Sequence, residues 1–211
     1  HSHALITTPA AGKFYRSAGP TAYQIQRLTV ATGAALEWLP QENIIYAGAK
    51  IHAITHVELQ GGARFIGWEI LCLGRPAAGE LFTTGECRQN FELWRDGDPL
   101  YLEHGRYNGG DPALAARWGL QGQPVSATLL CAGSPPDAVN AIRAGWEERL
   151  ARSPPTSEGE RATVSQLDGV LICRYLGPSA ARARRLFTLA WGVLRPAVLN
   201  RPPCPSRFWN T

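Results

Sequence analysis

The chain has 211 residues, 45% of them apolar and 18% charged, with a formal net charge of +4. That balance fits one ordinary globular domain and excludes a wholly disordered chain. No apolar window reaches the ~18–20 residues that span a bilayer, and the start lacks the basic-then-apolar order of a secretory leader, so the expectation is a soluble protein with no membrane partner.

In chain order, short runs rich in Val, Ile, Thr and aromatic residues predict strands at 3–8, 22–31, 34–39, 51–59, 63–73, 89–95, 99–106 and 125–132. One more follows at 170–176. Gly12, Gly33, Gly61-Gly62, Gly79, Gly97 and Asn108-Gly109-Gly110 punctuate them as turns. A first helix opens at Ser134-Pro135-Pro136-Asp137, with Ser as N-cap and Pro at the first helical position. Val139, Ile142, Trp146 and Leu150 form its apolar stripe. The second helix begins near Pro178 and ends at Arg195-Pro196, because proline disfavours helix in the residue before it. Ala183, Leu186, Phe187, Ala190, Val193 and Leu194 make its stripe, with Arg182, Arg184 and Arg185 on the flanks. The segment 152–161 reads as a surface loop. The fold expected is one mainly β domain with two α-helices in the C-terminal half.

Charge is unevenly placed. From Gly169 to Thr211 there are seven arginines and no Asp or Glu, which leaves the first 168 residues at −3. Such a field steers partners of opposite sign, either nucleic acid or an acidic protein surface. Five cysteines (Cys72, Cys87, Cys131, Cys173, Cys204) are an odd number with no C-x-x-C pair. Cys72 and Cys173 lie in apolar runs, where a free thiol acts as a small hydrophobe. The reading is reduced thiols in a cytoplasm.

Few motifs carry chemistry. Gly12-Lys13 is followed by Phe14, and Thr7 holds the place of the first glycine, so there is no phosphate-binding P-loop. No G-x-S-x-G nucleophile elbow is present. His52 and His56 would share a helix face, but Ile51 to Leu59 alternates with a period of two. On a strand positions four apart are separated by ~13 Å, too far for one ion. Glu69 is more informative: alternation puts it on the face shared by Phe65 and Leu71. An ionised carboxylate there costs several kcal/mol unless paired or hydrated. An arginine (Arg64, Arg75 or Arg88) could pair it. A water-filled passage or transient cation site is the other solution, since hard oxygen ligands suit divalent ions. Glu103, beside His104, poses the same question.

Several strings taken together carry a resemblance. They are Leu5-Ile6-Thr7-Thr8-Pro9-Ala10-Ala11-Gly12-Lys13-Phe14-Tyr15-Arg16-Ser17, Leu36-Glu37-Trp38-Leu39-Pro40-Gln41-Glu42, Trp68-Glu69-Ile70-Leu71-Cys72-Leu73-Gly74-Arg75-Pro76, and an ending of Leu194-Arg195-Pro196 with Arg207-Phe208-Trp209-Asn210-Thr211. The set resembles the urease accessory protein UreD (UreH) family. The resemblance implies a non-enzymatic assembly factor for the nickel centre of urease that binds apo-urease and UreF, which in turn recruits the GTPase UreG. It implies an extended, β-helix-like stacking of strands with two helices, no tightly bound cofactor, and an internal route for nickel in transit. Glu69 and Glu103 fall where the family keeps acidic residues linked to that route. Lys13, Tyr15 and Arg16 fall in a signature loop without an assigned role. Arg182, Arg184 and Arg185 become candidate contacts to an acidic partner.

Departures exist as well. The ending has Phe208 where Ile is usual. The absence of methionine and of a Gly-Gly-Ile-Val-Gly-Gly-Asp stretch leads to the expectation that residues 1–211 form a single domain lacking about the first quarter of a typical member. The alternative function is a basic β-protein that binds nucleic acid through its Arg-rich C-terminal third. Against it, the chain has only two lysines and lacks an aromatic–Gly RNA-binding string.

Overall fold

The computed structural model describes residues 2–210; His1 and Thr211 lie outside the described residues. The strands are β1 (His3–Ile6), β2 (Gly12–Phe14), β3 (Ala22–Val30), β4 (Ala35–Trp38), β5 (Asn43–Ile45), β6 (Lys50–Leu59), β7 (Arg64–Leu73), β8 (Glu86–Arg95), β9 (Asp98–Asn108) and β10 (Val125–Ala132). Then follow helix α1 (Ala138–Arg152), the strands β11 (Arg161–Leu167) and β12 (Val170–Gly177), and helix α2 (Ala180–Leu199).

Two sheets result. One has the order β1-β4-β7-β10-β12-β11, with β5 also beside β7 and β2 beside β5; the other has the order β3-β6-β8-β9. From β3 to β8 the chain passes back and forth between them, and successive passes pair in parallel: β4 with β7, β3 with β6, β6 with β8. This is the stacked, β-helix-like winding expected. Antiparallel pairing takes over at β7–β10–β12 in the larger sheet and in two hairpins. Asp96-Gly97 joins β8 to β9 and Asp168-Gly169 joins β11 to β12, all four residues with positive φ, as such hairpins require.

Both faces of the larger sheet are buried. One packs on the helices through Ile66, Trp68, Leu129, Ile142, Trp146, Phe187 and Trp191. The C-terminal Trp209 lies 5.3 Å from Trp68 and 5.1 Å from Trp191, ring centre to ring centre, so the family-like ending is a packing device. The other face meets the smaller sheet through two separate apolar clusters. The first contains Leu36, Trp38, Val57, Phe65 and Phe91; the second contains Ile45, Ile51, Leu71, Phe82 and Cys87.

The structure corrects local expectations. α1 starts at Ala138, with Asp137 rather than Ser134 at the N-cap position and no side-chain cap. α2 continues through Pro196 to Leu199 and is closed by Asn200 in the left-handed conformation. Proline's fixed φ is itself helical, and the added turn carries Val198 and Leu199 into the core. Arg182 and Arg184, expected on solvent flanks, are buried. β2, β5 and β11 were not expected as strands.

Candidate functional site

Between the two inter-sheet clusters lies a polar layer. On the smaller sheet, register aligns Gln26 on β3 with Thr55 on β6, Thr55 with Phe91 on β8, and Phe91 with Glu103 on β9. The adjacent row aligns Gln24, Ala53, Gln89 and Gly105. On the larger sheet, Glu69 on β7 aligns with Thr128 on β10, and Thr128 with Arg174 on β12. Alternation points these residues at one another across the sandwich.

Glu69 has no cationic partner among the described residues. Thr55 Oγ1 bonds to its Oε1, Gln89 Nε2 donates to its Oε2 at 2.6 Å, and Thr55 lies 3.0 Å from Gln26 Oε1. The arginines expected to neutralise it are engaged elsewhere. Arg64 donates to the Val198 carbonyl at 2.8 Å, Arg75 pairs with Glu80, and Arg88 pairs with Glu86. Burial therefore raises the Glu69 pKa to about 7, against the lowering effect of the Thr55 and Gln89 hydrogen bonds and with a smaller upward push from the Glu103 charge.

Water still reaches this carboxylate, for a reason written in the chain. β4 ends at Trp38 and β5 begins at Asn43, and both pair with β7: β4 covers 64–67 and β5 covers 71–73. The interruption, containing Pro40, leaves Trp68, Glu69 and Ile70 without a partner strand on that side. One winding earlier β1 and β2 are interrupted likewise around Pro9. Trp68 Nε1 donates to the Pro40 carbonyl at 2.8 Å, fixing the break. A cavity of about 90 Å³ opens there, lined by Thr8, Gly12, Gln24, Gln26, Gln41, Asn43 and Glu69 among others; that is room for several waters. Gly12 is needed at its rim, since a Cβ would lie 2.3 Å from Asn43 Oδ1.

Glu103 sits at the other side of the layer. It accepts from the Tyr101 hydroxyl at 2.6 Å, and Tyr101 accepts from Arg174 Nη2 at 2.8 Å. Burial first, then the Glu103 charge, pushes the Tyr101 phenol up; the Tyr107 phenol is raised to about 12, mainly by burial. The sequence reading found both glutamates and missed Thr55, Gln89, Gln26, Asn43, Tyr101 and Arg174. Their signal was polarity at inward positions of alternating strands.

The candidate partner-binding arginines separate. Arg182 pairs with Glu160 and Arg184 with Glu42, both largely buried, whereas Arg185 is exposed. Arg195 is also internal, 3.2 Å from Glu37, a fully buried carboxylate that also meets His3 and Trp191. Arg182, Arg184 and Arg195 are thus buried within the fold, and Arg174 is engaged by Tyr101. His52 and His56 lie on the outer face of β6, near Asn90 and Glu92, as the period of two required. No helix is long and apolar enough to cross a membrane among the described residues.

Stacked parallel windings around a hydrated polar layer, closed by two helices, define a two-sheet β-helix-like protein. Residues 1–210 match the family described as UreD urease accessory protein, and the chain belongs to that family. It is 45% identical to the urease accessory protein UreD of Dechloromonas aromatica (strain RCB), over 100% of this chain and 72% of that protein. It is 42% identical to urease accessory protein UreD 2 of Brucella anthropi, over 100% of this chain and 74% of that protein. With the UreD of Nostoc sp. (strain PCC 7120 / SAG 25.82 / UTEX 2576) it shares 41% identity, over 100% of this chain and 73% of that protein.

Proposed function

We propose that this protein is a non-enzymatic scaffold for nickel insertion into apo-urease in the cytoplasm, bridging urease to UreF and, through it, to the GTPase UreG. Nickel is its cargo, passing through the polar layer past Glu69 and Glu103, with no cofactor held tightly. The observation that carries this reading is the Glu69 carboxylate: inside the sandwich, without a cation, among neutral oxygen donors, and open to water through the Pro40 break. A core carboxylate kept without a partner costs stability, and a passing divalent cation would offset that cost. Thr55, Gln26, Gln89 and Asn43 offer hard oxygens that hold Ni²⁺ weakly. No group of three or more His, Cys, Asp or Glu converges among the described residues, so a passing ion would meet one charge at a time and move on. Arg185 is the exposed member of the arginine set through which an acidic partner would be met.

Co-expression of this chain with UreF, UreG and apo-urease tests the reading. Glu69→Ala/Glu103→Ala should leave the assembly co-purifying and lower nickel-dependent urease activation at least tenfold. Full activation by that variant would remove the passage. If the complex forms on immobilised duplex DNA instead, with steep salt dependence, the nucleic-acid reading replaces it.

A further inference from the structure

A second, larger cleft lies on the helical side, away from the polar layer. It measures about 530 Å³ and is formed by α1, α2 and the C-terminal segment, with Arg149, Arg184, Arg185, Leu189, Pro205 and Trp209 in its wall. Among the described residues the lining holds three arginines and no carboxylate. Arg184 is held from behind by Glu42, and burial pulls its pKa down. Arg149 and Arg185 are exposed, and neither makes an ion pair among the described residues. Arg185, Thr188 and Leu189 are three and four residues apart on α2, so they form one continuous stripe. Leu189 is 42% exposed, an apolar surface set beside two unpaired cations.

We propose that this cleft docks a short acidic segment of a protein partner. Its carboxylates would meet Arg149 and Arg185, and an aliphatic side chain between them would cover Leu189 and Pro205. The last 43 residues contain no acid, so the field around the cleft favours approach of negative charge. Exposed ion pairs contribute little by themselves, and the apolar wall supplies the remainder. That wall also selects against a bare phosphate, which would leave Leu189 and Pro205 uncovered. The volume suits a few residues rather than a folded domain. This proposal rests on the acidic-partner contact given to Arg185 above, but not on nickel passage through the polar layer, and survives if that passage fails.

The test uses the full chain labelled at Cys204, which is exposed beside Pro205 while Cys72, Cys87, Cys131 and Cys173 are buried. An environment-sensitive maleimide dye there reports on the cleft rim. The probe is an acetylated peptide, Glu-Glu-Leu-Asp-Glu-Leu, titrated at low salt. Saturable binding should weaken at least tenfold in Arg149→Glu/Arg185→Glu and three- to fivefold in Leu189→Ser. It should persist in Arg27→Glu/Arg117→Glu, which makes the same charge change elsewhere. Equal affinity in the first variant, or no saturable binding, overturns the proposal. Displacement of the peptide by inorganic phosphate at equal concentration also overturns it and assigns the cleft to a phosphate ligand.

Discussion

Replacing Glu69 by glutamine removes a charge from the interior and keeps the shape that Thr55 and Gln89 contact. In the folded protein Glu69 titrates near 7, against its ordinary 4.5. Between those values the folded state holds a proton that the unfolded state has released, so stability falls as pH rises from 4.5 through 7. The difference is worth about 3 kcal/mol at 1.36 kcal/mol per pKa unit. Glutamine lifts that penalty. At pH 8.5 the Glu69→Gln protein should melt roughly 5–10 °C above the parent, given the few degrees per kcal/mol expected at this chain length. Near pH 4.5 the two should melt together. Thermal unfolding followed by circular dichroism from pH 4.5 to 8.5 measures this directly. A gap that does not change with pH, or a variant less stable at pH 8.5, would refute the argument that an unpaired carboxylate sits in the core.

Other perturbations test the frame around the polar layer and the core. Glu37→Ala leaves Arg195 and the Trp191 indole N–H without their buried acceptor, and should cost about 3–5 kcal/mol, read by urea denaturation; a loss under 1 kcal/mol would contradict the pairing. Gly12→Ala puts a Cβ against Asn43 and should break its 2.8 Å bond to Gln24. We expect a loss of about 1 kcal/mol and weaker urease activation; unchanged activation would mean that the cavity beside Glu69 is not used. Native protein at pH 8 should react with a chromogenic disulfide at one thiol, Cys204, and at all five after denaturation, because burial raises Cys72 to about 11 and Cys87 to about 12. Fast reaction at a second native thiol would contradict the packing.

Alternation along 63–73 placed Glu69 inside, and the hydrophobic runs located nine strands and both helices, because those signals are local. What the sequence hid depends on register between distant segments. The Pro40 and Pro9 breaks become one opening only because Ile6 stands against Trp38 and Gly12 against Asn43. β2 and β5 have three residues each, too few for a period to show; β5 exists by pairing with β7, and β2 by pairing with β5. β11 is polar and mostly exposed; its signal was the Asp168-Gly169 turn. Arg182 and Arg184 looked solvated on a helical wheel because their partners, Glu160 and Glu42, are 22 and 142 positions away. The same long-range pairing explains how α2 passes Pro196, since Arg195 is held by Glu37 and stacks on Trp191 at 5.1 Å.

On the proposed function, nickel reaches urease by way of the carboxylates between the sheets. The direct measurement is the nickel content of urease, by mass spectrometry of the metal, after assembly with the parent chain or with Glu69→Gln/Glu103→Gln in an otherwise intact complex. Near-complete loading by the parent and a severalfold lower nickel content with the variant, at equal recovery of the complex, are expected. Equal nickel in both would contradict that route.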